Sequence, residues 1–202
     1  MRQLVVATKN KKKFSEIKTL LKATNLKIVS LLDFPSAVRI REDGKTFREN
    51  AAKKALAIAR FSGALALGED SGLEVDALGG RPGVYSSRFA GSKKDDRLNN
   101  RKVLRLLGSL PLNKRTARYR CAVAIADYSG LIKTVEGTCE GLIGFNPKGK
   151  SGFGYDPVFI IPAYKKTFAQ LGLGIKHKIS HRARAIQKIK PVISKYLDRQ
   201  SA

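Results

Sequence analysis

The chain has 202 residues, of which 43% are hydrophobic and 28% are charged. This length and composition are typical of one globular domain with a buried core, and they exclude a chain that is disordered throughout. Two cysteines are too few for a disulfide scaffold, and no apolar run approaches the ~18 residues of a membrane span. The start of the chain has no signal-peptide pattern, so we expect a reduced, cytoplasmic protein.

The charge balance is strongly basic. Lys and Arg number 40 against 16 Asp and Glu, which gives a formal net charge of +24 at pH 7. Such a charge favours anionic partners, namely nucleic acid, an anionic membrane or small phosphorylated molecules. A solvated surface enriched in lysine by composition alone explains the same excess, so charge does not choose among these classes.

The first third of the chain predicts a strand, a polar loop and two helices. Residues 3–7 form a short apolar run typical of a buried strand, and apolar residues at helical spacing follow from Phe14 to Leu21. Thr46 and Glu49 have the spacing of a capping box, which predicts a helix that ends near Gly63.

The middle of the chain predicts strands around a helix. Short strands are predicted at 64–67 and 73–78, separated by an acidic turn, and helical periodicity covers 98–107. Alternating apolar residues over 116–126, followed by a second run at 131–136, predict a β-hairpin.

The last third of the chain predicts a loop, a strand and a helix. Six glycines between 137 and 154 predict a loop that approaches a ligand closely, and a short strand is predicted at 157–161. Ser180 is expected to cap a last helix, which Pro191 should kink. Mixed helices and strands with a hairpin indicate one α/β domain, residues 1–202, with a mixed sheet.

Two polar segments follow predicted strands. Residues 7–13, Ala-Thr-Lys-Asn-Lys-Lys-Lys, offer backbone N–H groups, a hydroxyl, an amide and ammonium groups to a phosphate. The carboxylates of Glu69 and Asp70, with Glu42 and Asp43, are hard oxygen ligands of the kind that Mg²⁺ takes together with substrate phosphates. Taken alone, each segment is more often a solvated surface turn than a ligand site.

Two further segments have the composition of a ligand site. In residues 151–157, Ser-Gly-Phe-Gly-Tyr-Asp-Pro, glycines flank an aromatic ring that is suited to stack on a base. A tight turn with both rings in the core accounts for the same pattern. Residues 176–182, Lys-His-Lys-Ile-Ser-His-Arg, place cations at a predicted helix N-terminus, where the helix dipole disfavours them. A nucleic-acid-binding patch is the alternative there.

Six motifs in this order resemble the house-cleaning inosine/xanthosine triphosphate pyrophosphatase family, and the resemblance covers essentially the whole chain. They are Thr8-Lys9-Asn10 with Lys13, Thr46 to Ala51, Glu69 to Leu73, Gly80 to Ser86, Gly152 to Pro157, and Ile179 to Arg182. Each motif is weak by itself, but six in order at compatible spacings are specific.

The resemblance implies a two-lobed α/β fold, with a long mixed β-sheet flanked by helices and a central substrate cleft, in a protein that forms homodimers. It also implies Mg²⁺-dependent hydrolysis of the non-standard purine triphosphates dITP, ITP and XTP to the monophosphate and pyrophosphate.

Carried over by position, the resemblance also implies roles for single residues. Asp70 matches the proton acceptor, and Glu42 and Asp70 match the metal ligands. The implied substrate contacts are Thr8, Asn10, Lys13 and Lys54 for the phosphates, Ser71, the loop residues Phe153, Gly154, Tyr155 and Asp156, and the base-reading residues Lys176, His181 and Arg182.

Two other functions remain open from the sequence. A basic nucleic-acid-binding protein would account for the charge, but no RRM or KH signature is visible and the carboxylates would repel a phosphate backbone. A pyrophosphatase for modified pyrimidine nucleotides would share a similar architecture. The expected partner is therefore a small nucleotide, with neither a nucleic acid nor a membrane expected.

Overall fold

The computed structural model describes residues 2–22, 24, 26–37 and 40–199. Within these residues the chain forms seven strands and five α-helices, with short 3-10 turns between them. The strands are β1 Gln3–Val6, β2 Lys27–Ser30, β3 Leu65–Val75, β4 Thr116–Asp127, β5 Gly130–Ile143, β6 Phe159–Ile161 and β7 Lys166–Thr167. The helices are α1 Lys11–Leu20, α2 Phe47–Ser62, α3 Asp96–Leu107, α4 Phe168–Ile179 and α5 His181–Arg199.

The strands form one mixed sheet in the order β2-β1-β3-β4-β5-β6-β7. β1 pairs in parallel with both β2 and β3, whereas β6 pairs antiparallel with both β5 and β7. The predicted α/β class with a mixed sheet is confirmed. The predicted hairpin is also confirmed, because β4 and β5 are neighbours separated by only two residues.

The chain divides into two compact units, each with its own core. Unit 1 comprises Met1–Asp70, Cys121–Gly137 and Arg182–Ala202, and unit 2 comprises Ser71–Arg120 and Thr138–His181. The core of unit 1 combines apolar residues of β1, β3, β4, α1 and one face of α5. The core of unit 2 combines residues of β3, β4, β5, β6, α3 and α4, including the rings of Tyr119, Phe159 and Phe168.

The prediction of two strands separated by an acidic turn is wrong, because β3 runs without interruption through Glu69 and Asp70. Both carboxylates are buried in this strand. Strand backbone pairing does not require apolar side chains, and buried carboxylates are tolerated where cations and N–H donors contact them.

The predicted glycine-rich loop begins later than expected. β5 continues to Ile143 and includes Gly141, which packs closely: a Cβ there would lie 2.5 Å from the Phe159 ring. The sequence does not predict helix α4, since Gly172 and Gly174 interrupt its apolar pattern. In the structure Gly172 has a left-handed φ of 77° within this helix. Helix α5 contains Pro191 in its interior and continues through it.

None of the helices in the described parts of the chain is both long and apolar enough to cross a membrane.

Candidate active site

The loop between β1 and α1 contains the predicted phosphate contacts Thr8 and Asn10. Asn10 N–H donates to Thr8 Oγ1 (3.1 Å), and the Asn10 side-chain oxygen accepts from the N–H groups of Lys12 and Lys13 (3.0 and 3.1 Å). Asn10 is therefore the N-cap of α1, and it satisfies two N–H groups that a helix start leaves free. With no acidic residue in its first turn, α1 presents an electropositive end and lysine side chains to an anion.

The acidic part of β3 lies at the same level of the sheet as this loop. β1 and β3 pair in parallel with Val6 opposite Leu67, and Ala7 N–H donates to the Leu67 carbonyl (2.8 Å). Because parallel strands run in the same direction, the residues after Val6 and those after Leu67 lie side by side. The predicted phosphate loop and the predicted metal ligand Asp70 thus belong to one region of unit 1.

Helix α2 packs closely on β3 at Gly68. A Cβ on Gly68 would lie 2.0 Å from the Ala51 carbonyl oxygen and 2.6 Å from the Ala55 nitrogen, both backbone atoms. Only glycine allows this approach. As a result Asp70, two residues further along the strand, lies against the polar side chains of α2.

The start of α2 orients those side chains. Thr46 Oγ1 accepts from Glu49 N–H (3.1 Å) as predicted, but the Glu49 carboxylate accepts from Lys45 N–H (2.8 Å), so the reciprocal half of the predicted capping box is not made. Asn50 and Lys54 follow one turn apart and therefore share a helix face.

Asp70 forms the centre of a polar cluster in which Asn50, Lys54 and Asp70 are buried and Glu42 is exposed. Its carboxylate accepts from Asn50 Nδ2 (3.1 Å) and from Lys54 Nζ (3.2 Å), and the same ammonium donates to Glu42 Oε2 (3.2 Å). The structure thus brings three predicted site residues, Glu42, Lys54 and Asp70, into one cluster. Asn50 is a member that our reasoning about single residues missed, although it lies within the quoted Thr46-to-Ala51 motif.

Burial raises the pKa of Asp70 above its usual value. The neighbouring Glu69 and Glu42 carboxylates raise it further, and the ammonium groups of Lys54 and Lys13 lower it without reversing the effect. A carboxylate held with incomplete charge compensation is a good proton acceptor and a good cation ligand.

The donor set of this cluster fits Mg²⁺. Among the described residues there is no group of three or more His, Cys, Asp or Glu side chains that could hold a metal ion. Mg²⁺ does not need such a cage, because it binds through one or two carboxylates and completes its shell with phosphates and water. Two carboxylates that share one ammonium, Glu42 and Asp70, meet that requirement.

Glu69 has a different environment from Asp70. Its Oε2 accepts from Lys13 Nζ (2.9 Å), and its Oε1 accepts from Arg182 Nη2 (2.9 Å) and from the Cys121 thiol (3.4 Å). Arg182 also donates to the Glu16 carboxylate. Glu69 is thus fully engaged in ion pairs that tie β3 to α1 and α5.

These ion pairs set the charge states of their members. Burial lowers the pKa of Lys13, but the carboxylates of Glu69 and Asp70 together outweigh it, and the pKa lies above the usual 10.5. Burial likewise lowers the pKa of Arg182, but the carboxylates of Glu69 and Glu16 raise it, and the net effect is a rise. Burial and the adjacent Glu69 raise the pKa of the Cys121 thiol well above 9, so Cys121 is a neutral donor.

In unit 2, Asp156 organises the predicted base-facing loop. Its carboxylate accepts from Lys176 Nζ (2.6 Å), from Phe153 N–H (2.9 Å) and from the Tyr119 hydroxyl (3.3 Å). The Lys176 ammonium also lies 4.5 Å from the centroid of the Phe153 ring. Phe153, Asp156 and Lys176 are therefore one contact group, as expected if they act on one ligand.

The other predicted base contacts are more deeply packed. The Tyr155 hydroxyl donates to the Ser86 carbonyl (2.8 Å), and the ring belongs to the core of unit 2. The His181 ring stacks on Tyr119, with centroids 4.5 Å apart and an interplanar angle of 9°. Burial and Asp156 raise the pKa of Tyr119 well above 10, which keeps its hydroxyl a donor.

Arg182 has identified partners inside unit 1. It is 1% exposed and makes ion pairs with Glu16 and Glu69. Ser71 follows Asp70 in β3 and is partly buried. Contacts of Arg182 or Ser71 with a nucleotide stay predictions.

Comparisons with known proteins agree with this arrangement. A profile of the Ham1 family matches residues 4–192. A dITP/XTP pyrophosphatase of Desulforamulus reducens is 53% identical over 193 residues, covering 96% of both chains. A protein of the same name in Shouchella clausii is 50% identical over 194 residues, covering 96% of this chain and 97% of its own.

Solved structures show the same fold. A HAM1 protein from Coxiella burnetii superposes with a TM-score of 0.87 at 37% identity, and the Ham1 protein of Staphylococcus aureus with 0.86 at 34% identity. Each match covers 96% of this chain and 100% of the other. Since the family profile spans nearly the whole sequence and the relatives match at full length, this chain belongs to the Ham1 family.

Proposed function

We propose that the protein hydrolyses the non-standard purine nucleoside triphosphates dITP, ITP and XTP to the monophosphate and pyrophosphate, which removes them from the nucleotide pool. The observation that carries this proposal is the buried Asp70 carboxylate, held by Lys54 and Asn50 beside Glu42. The names of two relatives that are at least half identical, both dITP/XTP pyrophosphatases, support the substrate class.

Asp70 acts as the general base in the proposed reaction. A water molecule attacks the α-phosphorus and gives a proton to Asp70 as the new P–O bond forms. The bond from the α-phosphorus to the oxygen that bridges to the β-phosphorus breaks, and pyrophosphate leaves with that electron pair. The raised pKa of Asp70 supports this role, because it brings the proton affinity of the carboxylate closer to that of a base working near neutral pH.

Glu42 and Asp70 would hold Mg²⁺, which supplies neutralising charge to the phosphate oxygens when bound. Thr8, Asn10, Lys13 and Lys54 are proposed to bind the triphosphate. In support, the loop of Thr8 and Asn10 is fixed by its own hydrogen bonds, and Lys13 and Lys54 are positioned by carboxylates. Each charge-assisted contact to a phosphate oxygen stabilises binding by roughly 1.5–3 kcal/mol.

The base is proposed to bind to the loop Phe153, Gly154, Tyr155 and Asp156 and to Lys176, His181 and Arg182, with Ser71 as a further substrate contact. Hypoxanthine and xanthine have an acceptor at O6, whereas adenine has an amino donor there. A site lined by donors therefore pairs with O6 and leaves donors unpaired opposite ATP, which makes strong rejection of ATP feasible. The ion pair of Lys176 with Asp156 fixes one such donor group.

We also propose that the enzyme is a homodimer, as the resemblance implies, and that it acts in the cytoplasm, as the composition of the chain suggests. Light scattering on the purified protein tests the first part, since a monomer mass at micromolar concentration would contradict it.

A nucleotide panel tests the function. We expect ITP, dITP and XTP to release pyrophosphate rather than orthophosphate in the presence of Mg²⁺, ATP to react far more slowly, and EDTA to abolish the activity. Release of orthophosphate, or equal kcat/KM values for ITP and ATP, would contradict the proposal.

A further inference from the structure

Helix α3 holds the glycine at the centre of the predicted base-facing loop from both sides of its backbone. Gly154 N–H donates to the Asp96 carboxylate (2.7 Å), and Asn100 Nδ2 donates to the Gly154 carbonyl oxygen (2.9 Å). Asp96 and Asn100 are one turn apart on the helix. A single rigid element thus fixes both hydrogen-bonding groups of Gly154.

The position of Gly154 determines the geometry of its neighbours. Gly154 has a left-handed φ of 63°, and the residue before it, Phe153, donates its N–H to the Asp156 carboxylate. The Lys176 ammonium contacts both Asp156 and the Phe153 ring. A displacement of Gly154 would therefore move the ring and the ion pair together.

Asn100 is not explained by stability alone. The Gly154 carbonyl can only accept a hydrogen bond, so the amide group of Asn100 faces it and the side-chain oxygen Oδ1 is the remaining atom. That oxygen is buried and has no hydrogen-bond partner among the described residues. An unsatisfied buried acceptor costs stability, which an apolar residue at this position would avoid.

We propose that Asn100 and Asp96 are positioning residues for base selection. They hold the backbone of Gly154 so that the Phe153 ring and the Lys176 ammonium meet the base in one fixed geometry. This inference rests on the proposed function, because it requires that the loop binds the base of the substrate.

Asn99 provides a matched control on the same helix. It is also buried, and it holds a different segment in the same way: its Nδ2 donates to the Ser87 carbonyl (3.2 Å), and its Oδ1 accepts from Ala90 N–H (2.7 Å). Asn99→Ala removes two side-chain hydrogen bonds to that other segment, one more than Asn100→Ala removes, without releasing Gly154.

The test compares Asn100→Ala with Asn99→Ala in kinetics on ITP and ATP. Loss of positioning costs roughly 10–10²-fold in reactivity for groups displaced by about an ångström. We expect Asn100→Ala to lower kcat/KM for ITP by that factor, mostly through KM, with little change for ATP. The ITP/ATP ratio of kcat/KM then falls. Asn99→Ala should keep the wild-type ITP/ATP ratio of kcat/KM, even if its melting temperature falls as much as that of Asn100→Ala.

A second pair of variants repeats the test at Asp96. Asp96→Ala removes the acceptor for Gly154 N–H, whereas Asp96→Asn retains an oxygen that can accept the same bond. We expect Asp96→Ala to lose the ITP/ATP discrimination and Asp96→Asn to restore most of it. This pair also serves where Asn100→Ala does not fold.

The outcomes separate the two proposals. Wild-type protein that releases no pyrophosphate from ITP, dITP or XTP contradicts the proposed function itself. A selective wild type whose Asn100→Ala and Asn99→Ala variants have the same ITP/ATP ratio overturns the positioning role alone. Equal ratios in Asp96→Ala and Asp96→Asn would overturn it as well.

Discussion

Two adjacent carboxylates, Glu69 and Asp70, have different environments and are therefore suited to different roles. Glu69 contacts two cations, Lys13 and Arg182, and a thiol donor, so its charge is fully compensated. The Asp70 carboxylate shares the Lys54 ammonium with Glu42 and accepts one further hydrogen bond, from the Asn50 amide. Burial raises the pKa of Asp70. Of the two, Asp70 is therefore suited to take a proton from water, and Glu69 to hold cationic side chains in position.

Substitution of Asp70 tests this division. We expect Asp70→Asn to lower kcat for pyrophosphate release by about 10²–10⁴, since a general base contributes a factor of that size. The amide has nearly the same shape, so the circular dichroism spectrum should stay that of the wild type.

The control is Asp198→Asn, which makes the same chemical change at an exposed position on α5. It should have wild-type turnover. Near-wild-type turnover in Asp70→Asn would remove Asp70 from the mechanism.

The raised pKa of Asp70 also predicts how stability depends on pH in EDTA. A carboxyl whose folded pKa lies above its unfolded pKa binds its proton more tightly in the folded state. Its contribution to stability is therefore present below the unfolded pKa, near 3.8, and is lost as the pH rises through the folded pKa. Relative to Asp70→Asn, the wild type should lose free energy of unfolding across that window.

Urea titrations of both proteins between about pH 4 and pH 8 measure this difference. Asp70→Asn should be more stable than the wild type near pH 8, and the difference in free energy of unfolding should become smaller towards pH 4. A wild type that gains stability relative to the variant as the pH rises would mean that ion pairing dominates over burial at Asp70.

At the scale of secondary structure elements, patterns in the sequence located the elements that carry the site but not all their boundaries. The strand–loop–helix at the start and the capped helix α2 follow from apolar spacing and cap residues, which are local signals. The sequence predicts two strands in place of β3, because its acidic residues have the composition of a turn. Their partners, Lys13, Lys54 and Arg182, are distant in sequence, so no local pattern shows that the carboxylates are buried.

The residues that position the site were the least predictable. Asn99 and Asn100 are adjacent, of one type and both buried, yet they bind segments far apart in sequence, at Ser87 and Gly154. The alternating pattern predicts only a strand face for Tyr119, although its hydroxyl donates to Asp156. Such roles depend on tertiary contacts and require the folded structure.

The close packing of α2 on β3 makes a prediction at this scale. Gly68→Ala would place a methyl group against backbone atoms of Ala51 and Ala55, which cannot rotate away. We expect a loss of about 1–3 kcal/mol in the free energy of unfolding, as for other overpacked sites. Activity should fall as well, because a shift of α2 moves Asn50 and Lys54 away from Asp70.

Gly174→Ala is the matched control, since a Cβ there has no atom within 4 Å. In a helix that change is expected to stabilise by about 0.5–1 kcal/mol. If Gly68→Ala were as stable as the wild type, the close approach of the two elements would not constrain the site.

At the scale of the whole molecule, the excess of positive charge has a role in the proposed function only if it attracts the substrate. A net charge of +24 produces a long-range field that attracts a triphosphate, and the field extends about 30 Å at ~0.01 M salt but about 8 Å at ~0.15 M. The sequence alone could not separate this role from a bias in composition. Locally, Glu42, Glu69 and Asp70 each contact a lysine or an arginine.

The salt dependence of the kinetics decides between the two explanations. If the field captures the substrate, kcat/KM for ITP should fall roughly tenfold between ~0.01 and ~0.15 M KCl at fixed Mg²⁺, because electrostatic steering adds a factor of that order to association. The value of kcat at saturating ITP should change little, since the ion pairs around Asp70 and Glu69 are buried and poorly screened. If kcat/KM does not change over this range, the excess lysine reflects surface composition and does not steer the substrate. If kcat falls in parallel with kcat/KM, salt acts on the site itself.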